Sequence, residues 1–210
     1  MPTKIVKLKP KINVLQIGKE VLKNESGAIQ VVGKKLGSSF VKAVELLYRA
    51  KGKIVLAGIG KSGIVARKIA ATLSSTGTFS LFVHPVEALH GDFGMLGKDD
   101  VIIIISNSGG TPEVINFANI VKKFGNKIIA ITSGEKSALG KFADIILLTH
   151  VREEACKICT TFNLAPTTSS LVESALGDAI SSALQEMKGF KQEHFAKFHP
   201  GGTLGERASK

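Results

Sequence analysis

The stretch Ser106-Asn107-Ser108-Gly109-Gly110-Thr111-Pro112-Glu113 brings three hydroxyls, a glycine pair and an acid into one short loop. An apolar run, Val101–Ile105, stands directly before it, and Pro112 suits the first position of a helix. Hydroxyls combined with the unpaired N–H groups of a helix start make a cradle for a phosphate. The plainer role is capping, with Thr111 as the cap and Glu113 favouring the helix dipole. One hydroxyl would serve that purpose. Ser106, Ser108 and Thr111 together, with Asn107 between them, point to an anion.

A second loop, Gly58-Ile59-Gly60-Lys61-Ser62-Gly63, follows another apolar run and satisfies G-x-G-x-x-G. Glycines at this spacing let backbone N–H groups approach an anion at a helix N-terminus. A nicotinamide enzyme also needs an acid about 20 residues on, at the end of the second strand. That strand ends Val83-His84-Pro85, and Glu87 is a poor substitute. A Walker A loop fails too, because Val55 occupies its first glycine position. Lys61 at a helix start is unfavourable unless an anion is present. In an open parallel sheet, ligands bind outside the carboxyl ends of the strands. One pocket carrying Gly60, Lys61, Ser62, Ser106, Asn107, Ser108 and Thr111 therefore suits a single phosphate and its carbon chain, whereas a dinucleotide leaves the serine loop unexplained.

Other constellations are weaker. Cys156 and Cys159 form a lone C-x-x-C with no second pair to complete a zinc site, and they sit too late for a thioredoxin-like motif. They read as ordinary thiols. His84 and His90, with Asp92 nearby, could ligate a metal, but structural histidines are the stronger reading.

These loops require a scaffold. Short apolar runs recur at Lys53–Ala57, Leu81–Val83, Val101–Ile105, Ile128–Ile131 and Ile145–Leu148. Each is followed by polar or glycine-rich residues, and most by a helical stretch. Continuous apolar strands alternating with helices imply a parallel sheet covered on both faces. The expected fold is α/β, a doubly wound, flavodoxin-like sheet of five parallel strands with flanking helices. Residues 11–50 carry helical periodicity that the Gly33–Ser39 region can break in two. Pro166 onward is helical until Gly189, a C-cap candidate, and His199-Pro200-Gly201-Gly202 is loop chemistry.

The 210 residues, 44% hydrophobic and 21% charged, suit one globular domain (11–210) behind a basic arm (1–10). Eight lysines lie within the first 35 residues, and the net charge is +11. With one Tyr, no Trp and no recognised binding motif, a basic surface that steers anionic substrates inward fits better than nucleic-acid binding. The start has no apolar signal region, and the longest apolar stretch is too short for a membrane span, so a cytoplasmic protein is expected.

At these loops the sequence resembles the SIS (sugar isomerase) domain family, in particular its arabinose 5-phosphate isomerase branch. The stretches that carry the resemblance are GIGKSG (58–63), ATLSSTGT (71–78), FVHPVEALHGDFGML (82–96), ISNSGGTPE (105–113), EEAC (153–156), LAPTTSS (164–170), GDA (177–179) and HPGGTLG (199–205). They run in order from about residue 12 to residue 207. The SNSG loop marks only the superfamily; the histidine-rich stretch and HPGGTLG are more specific. Three departures stand out. Gly110-Thr111-Pro112 replaces a more common Glu-Ser-Ser, the 157–163 segment is longer than usual, and the two C-terminal CBS modules of longer members are not expected here.

The resemblance implies an aldose–ketose isomerase interconverting arabinose 5-phosphate and ribulose 5-phosphate. By motif position it implies catalytic roles for Lys61, Glu113, Glu154 and His199, and a tetramer in which a neighbouring subunit completes the pocket. Moving a proton between C1 and C2 needs a base and groups that stabilise an enediol-like intermediate; it needs no metal or nicotinamide cofactor. Glu113 or Glu154 would be the base, with loop position favouring Glu113. Lys61 would neutralise phosphate or polarise the carbonyl, and His199 would shuttle protons or assist ring opening. Two alternatives share the same loops: a non-catalytic phosphosugar sensor, and an isomerase of another sugar phosphate.

Overall fold

The computed structural model describes residues 13–155, 164–201 and 203–208. The basic arm, the Cys156–Cys159 pair and the 157–163 segment lie outside the described residues. Five strands, β1 (Ile54–Gly58), β2 (Ser80–Val83), β3 (Val101–Ile105), β4 (Lys127–Thr132) and β5 (Ile145–Leu148), form one all-parallel sheet in the order β2-β1-β3-β4-β5. Each coincides with an apolar run seen in the sequence, to within about a residue at either end.

Alternate residues of each strand serve opposite faces. Ile54, Leu56, Val101, Ile103, Ile105, Ile129 and Ile131 pack with four helices: α1 (Val14–Lys35), α2 (Ser38–Tyr48), α3 (Gly60–Ser75) and α6 (Thr168–Met187). Val55, Ala57, Ile102, Ile104, Ile128 and Ala130 pack with α5 (Pro112–Phe124) and the single turn α4 (Pro85–Ala88). Both faces are covered, which is why the strands read as unbroken apolar runs. Register is pinned by pairs such as Ile54↔Val101 and Gly58↔Ile105, which bring the carboxyl ends of β1 and β3 level.

The sheet edge away from those ends is tied by Asp100. Its carboxylate accepts hydrogen bonds from the backbone N–H groups of Lys53 and Gly97 and from Lys53 Nζ at 2.6 Å. At the working edge, Gly58 and Gly63 let strand and helix touch. A Cβ on Gly63 would stand 2.7 Å from the Gly58 carbonyl oxygen, so any larger residue would push α3 off β1.

Two features extend the sequence reading. Between β4 and β5 the chain makes turns and no helix. After Gly189, whose φ of +59° ends α6, two further short helices follow, α7 (Gln192–Phe198) and α8 (Thr203–Ala208). The first turn of α7 closes on itself through a hydrogen bond from the Lys191 N–H to His194 Nδ1. His199 and Pro200 form the link between these helices. No helix among the described residues is long and apolar enough to cross a membrane.

Candidate active site

The strand order reverses between β1 and β3, and there the sheet opens a cleft of about 260 Å³. Among the described residues its lining comes from four segments: Ile59 and Ser62 after β1; Ile105 at the end of β3, with Ser106, Asn107, Ser108, Thr111 and Val114 after it; Glu154 after β5; and Pro166 and Ser169 at the start of α6. A second cavity of similar size, around Lys35, Ser38 and His150, shares none of these residues.

The serine loop is held from beneath. The Asn107 carbonyl accepts hydrogen bonds from Ser133 N–H (2.8 Å), Ser133 Oγ (2.7 Å) and Thr132 Oγ1 (3.1 Å), while Asn107 Oδ1 accepts one from Thr149 Oγ1 (2.8 Å). Asn107 thus anchors the loop to the ends of β4 and β5. The chain then turns through Gly109 at φ +59°, where a Cβ would meet Ser137 and Thr132 within 3 Å. The Gly109 N–H donates to Ser106 Oγ and the Gly110 N–H to Ser108 Oγ, leaving both hydroxyl protons free to donate to a ligand.

Three helices begin at the cleft, and their N-termini are treated differently. α3 opens after Ile59, and α5 opens after Thr111 with Pro112 at its first turn; neither N-cap makes a side-chain hydrogen bond. Capping by Thr111 through its hydroxyl is therefore not what that side chain does. The N-terminus of α6 is instead satisfied by Glu154. Its Oε2 accepts from Thr167 N–H (2.8 Å), Ser169 N–H (3.1 Å) and Thr167 Oγ1 (3.3 Å), and its Oε1 accepts from Ser169 Oγ at 2.5 Å. One helix dipole is answered by a protein carboxylate, and two remain for a ligand anion. Such a cleft can hold a phosphate near α3 and α5 with a carbon chain reaching towards Glu154.

The other residues singled out in the sequence are not part of this lining. Lys61 and Glu113 are exposed in the first turns of α3 and α5, each beside a lining residue. His199 is half-buried, with its ring stacked on Phe195 at 3.7 Å and Nδ1 at 2.9 Å from the Phe195 carbonyl oxygen. His84 precedes α4 with its Nδ1 buried and without a partner among the described residues, its ring edge-on to Phe82; His90 is exposed. Among the described residues no three His, Cys, Asp or Glu side chains are grouped to hold a metal ion.

Sequence reasoning missed two residues. Ser169 lines the cleft, and Glu173, one turn further along α6, lies buried with its Oε1 at 3.1 Å from Ser62 Oγ. Burial, opposed by the Ser62 hydrogen bond and aided by the nearby charge of Glu154, pushes the Glu173 carboxyl up to about 7. The available signal was an acid at a core-facing position: residues 169, 173, 176, 180 and 184 share one stripe of α6, and the last three are Leu176, Ile180 and Leu184.

A doubly wound parallel sheet with a hydroxyl-lined cleft at its β1–β3 reversal defines an α/β protein of the kind that binds ligands at the sheet's switch point. Its particular family is evident from comparison: the SIS domain profile matches residues 46–183, and the chain belongs to that family. It is 49% identical over 183 residues to arabinose 5-phosphate isomerase KdsD of Pseudomonas aeruginosa, covering 87% of this chain and 55% of that protein. It is 45% identical over 190 residues to arabinose 5-phosphate isomerase KpsF of Escherichia coli O6:H1, covering 90% and 57%. The chain thus spans a little over half the length of these relatives. Among solved structures, a protein of E. coli CFT073 in complex with arabinose 5-phosphate superposes with a TM-score of 0.85 at 41% identity, over 91% of this chain and all of that one.

Proposed function

We propose that the protein is a sugar-phosphate aldose–ketose isomerase that interconverts arabinose 5-phosphate and ribulose 5-phosphate. The observation that carries the reading is the cleft itself, in which Ser62, Ser106, Ser108 and Thr111 face the same space as the Glu154 carboxylate. Relatives named for this activity, alike across nearly the whole of this chain, support the choice of sugar.

The phosphate would rest on the hydroxyls and on the free N–H groups of α3 and α5, leaving C1 and C2 towards Glu154. A base removes the proton from C2, and the electron pair forms the C1–C2 double bond as the C1 carbonyl oxygen becomes the oxyanion of an enediolate. Return of that proton to C1, with transfer of the O2 proton to O1, completes the ketose without gain or loss of atoms. Position in the cleft favours Glu154 as the base. Its hydrogen bonds to the start of α6 fix the carboxyl group in one orientation, at the edge of the space that the hydroxyls face. Glu113 remains the second candidate, with Lys61 and His199 as charge-neutralising and proton-shuttling groups. All three lie outside the lining of a single chain, so the reading includes a homo-oligomer, by resemblance a tetramer, whose neighbouring copy completes the site. A cytoplasmic location follows from a phosphorylated substrate.

The test is conversion of arabinose 5-phosphate to ribulose 5-phosphate by the purified protein without added cofactor, alongside Glu154→Gln and Glu113→Gln. Turnover lost in one variant and kept in the other identifies the base. Binding of the sugar phosphate without turnover would overturn this substrate assignment in favour of a sensor or an isomerase of another sugar phosphate.

A further inference from the structure

We propose that Glu173 is a positioning residue for the anion site: as a neutral acid it donates a hydrogen bond to Ser62 Oγ and so turns the Ser62 hydroxyl proton into the cleft. The proposal rests on the reading of the cleft as a phosphate site.

The geometry leaves Glu173 little means to remain charged. It is 1% exposed, its Oε2 has no hydrogen-bond partner among the described residues, and its Oε1 meets the neutral hydroxyl of Ser62. A buried carboxylate without a cation is strongly disfavoured, whereas the protonated form needs one partner for its O–H. Among the described residues, the elements packed against α6 offer no compensation. α1 and α2 present Ala28, Val32, Val44 and Leu47 to the shared core. Of the three cations on α3, Lys61 is exposed, Arg67 lies over the Phe82 ring at 4.6 Å, and the exposed ammonium of Lys68 is already paired with Asp178. The charge that acts on Glu173 is the Glu154 carboxylate, which repels a second negative charge.

The direction of the Ser62–Glu173 hydrogen bond therefore depends on one proton. With Glu173 ionised, Ser62 must donate downward, and it shows only lone pairs to the cleft. With Glu173 protonated, the acid donates and the Ser62 hydroxyl is released to donate to an anion. A negative charge beneath a phosphate site would also repel the ligand. Both effects favour binding to the protonated form, and by linkage the bound anion must strengthen the hold of Glu173 on its proton. The carboxyl's rise to about 7 puts this exchange at neutral pH.

Sulfate is the suitable probe, because it is a dianion throughout the range and its own titration does not enter. Its affinity is measured by calorimetry at pH 6 and pH 8.5 for the wild type, Glu173→Gln, Ser62→Ala and the double variant. The amide is isosteric and can donate to Ser62 at either pH. Slopes due to groups other than Glu173 are common to all four proteins. The wild type should lose about tenfold more affinity than Glu173→Gln on going to pH 8.5, the worth of one hydrogen bond to a charged group. In the Ser62→Ala background, the substitution at 173 should shrink that difference well below tenfold. Equal pH profiles in wild type and Glu173→Gln, a full difference that survives without Ser62, or no sulfate binding by the wild type at pH 6 would each overturn the proposal. Absence of arabinose 5-phosphate turnover, with the expected sulfate profiles, would instead remove the substrate assignment and leave the role of Glu173 standing.

Discussion

Glu154 and Ser169 are joined twice: the carboxylate accepts the Ser169 hydroxyl on one oxygen and the Ser169 N–H on the other, at 2.5 and 3.1 Å. The same acid that lines the cleft therefore closes the N-terminus of a 20-residue helix. It is fixed in place by that helix, and it keeps the helix's positive end from competing with α3 and α5 for an anion.

This double duty predicts a split phenotype at position 154. Glu154→Gln should lower kcat by roughly 10²–10⁴-fold, the usual worth of a positioned general base, with KM nearly unchanged. It should also cost about 1 kcal/mol of stability through the weakened cap, measurable by urea unfolding. Stability lost without loss of kcat would leave Glu154 as a cap only.

Thr111 offers the converse separation. Its hydroxyl makes no capping bond, so Thr111→Val should leave unfolding within about 0.5 kcal/mol of the wild type. Affinity for a sugar phosphate should fall roughly tenfold, since one donor to a charged group is removed. A variant that loses stability and keeps its affinity would return Thr111 to the role of a cap.

Glu173 makes stability depend on pH with a definite sign. Its carboxyl is raised from an ordinary 4.5 to about 7 by burial, against the Ser62 hydrogen bond and with the Glu154 charge. Between those values the folded protein holds a proton that the unfolded chain has released, so stability falls as pH rises through that window. The contribution is fully present below pH 4.5 and gone above about 7. The whole span is worth on the order of 3 kcal/mol. Urea unfolding at pH 5 and pH 8 should show the wild type losing that much relative to Glu173→Gln; parallel losses would mean the carboxyl titrates normally.

At the opposite edge, Asp100 serves structure alone. It is 4% exposed and takes hydrogen bonds from two backbone N–H groups as well as the Lys53 ammonium. Asp100→Ala should destabilise by about 3–5 kcal/mol, because it strands a mostly buried cation and two donors. Below the unfolding transition, sulfate affinity should match the wild type, since the cleft lies at the other ends of the strands.

Most of the scaffold was legible in the residues themselves. Strands buried on both faces must be continuously apolar, and the glycines and hydroxyls that follow β1 and β3 mark the ends where a ligand can sit. Those signals are local, so Ser62, Ser106, Ser108 and Thr111 could be assigned to one pocket before any coordinates. The environment of each acid is not local. Glu113 directly follows the serine loop in sequence yet is exposed on α5, while Glu154, arriving from beyond β5, lines the cleft because α6 needs its carboxylate. Ser62 and Glu173 are 111 residues apart and meet because α3 and α6 pack closely, at a crossing where a Cβ on Gly177 would stand 2.3 Å from Ile69. Residue type and spacing determined which groups could bind a phosphate; only the packing of α6 across α3 decided which carboxylate is exposed to the cleft and which is sealed beneath it.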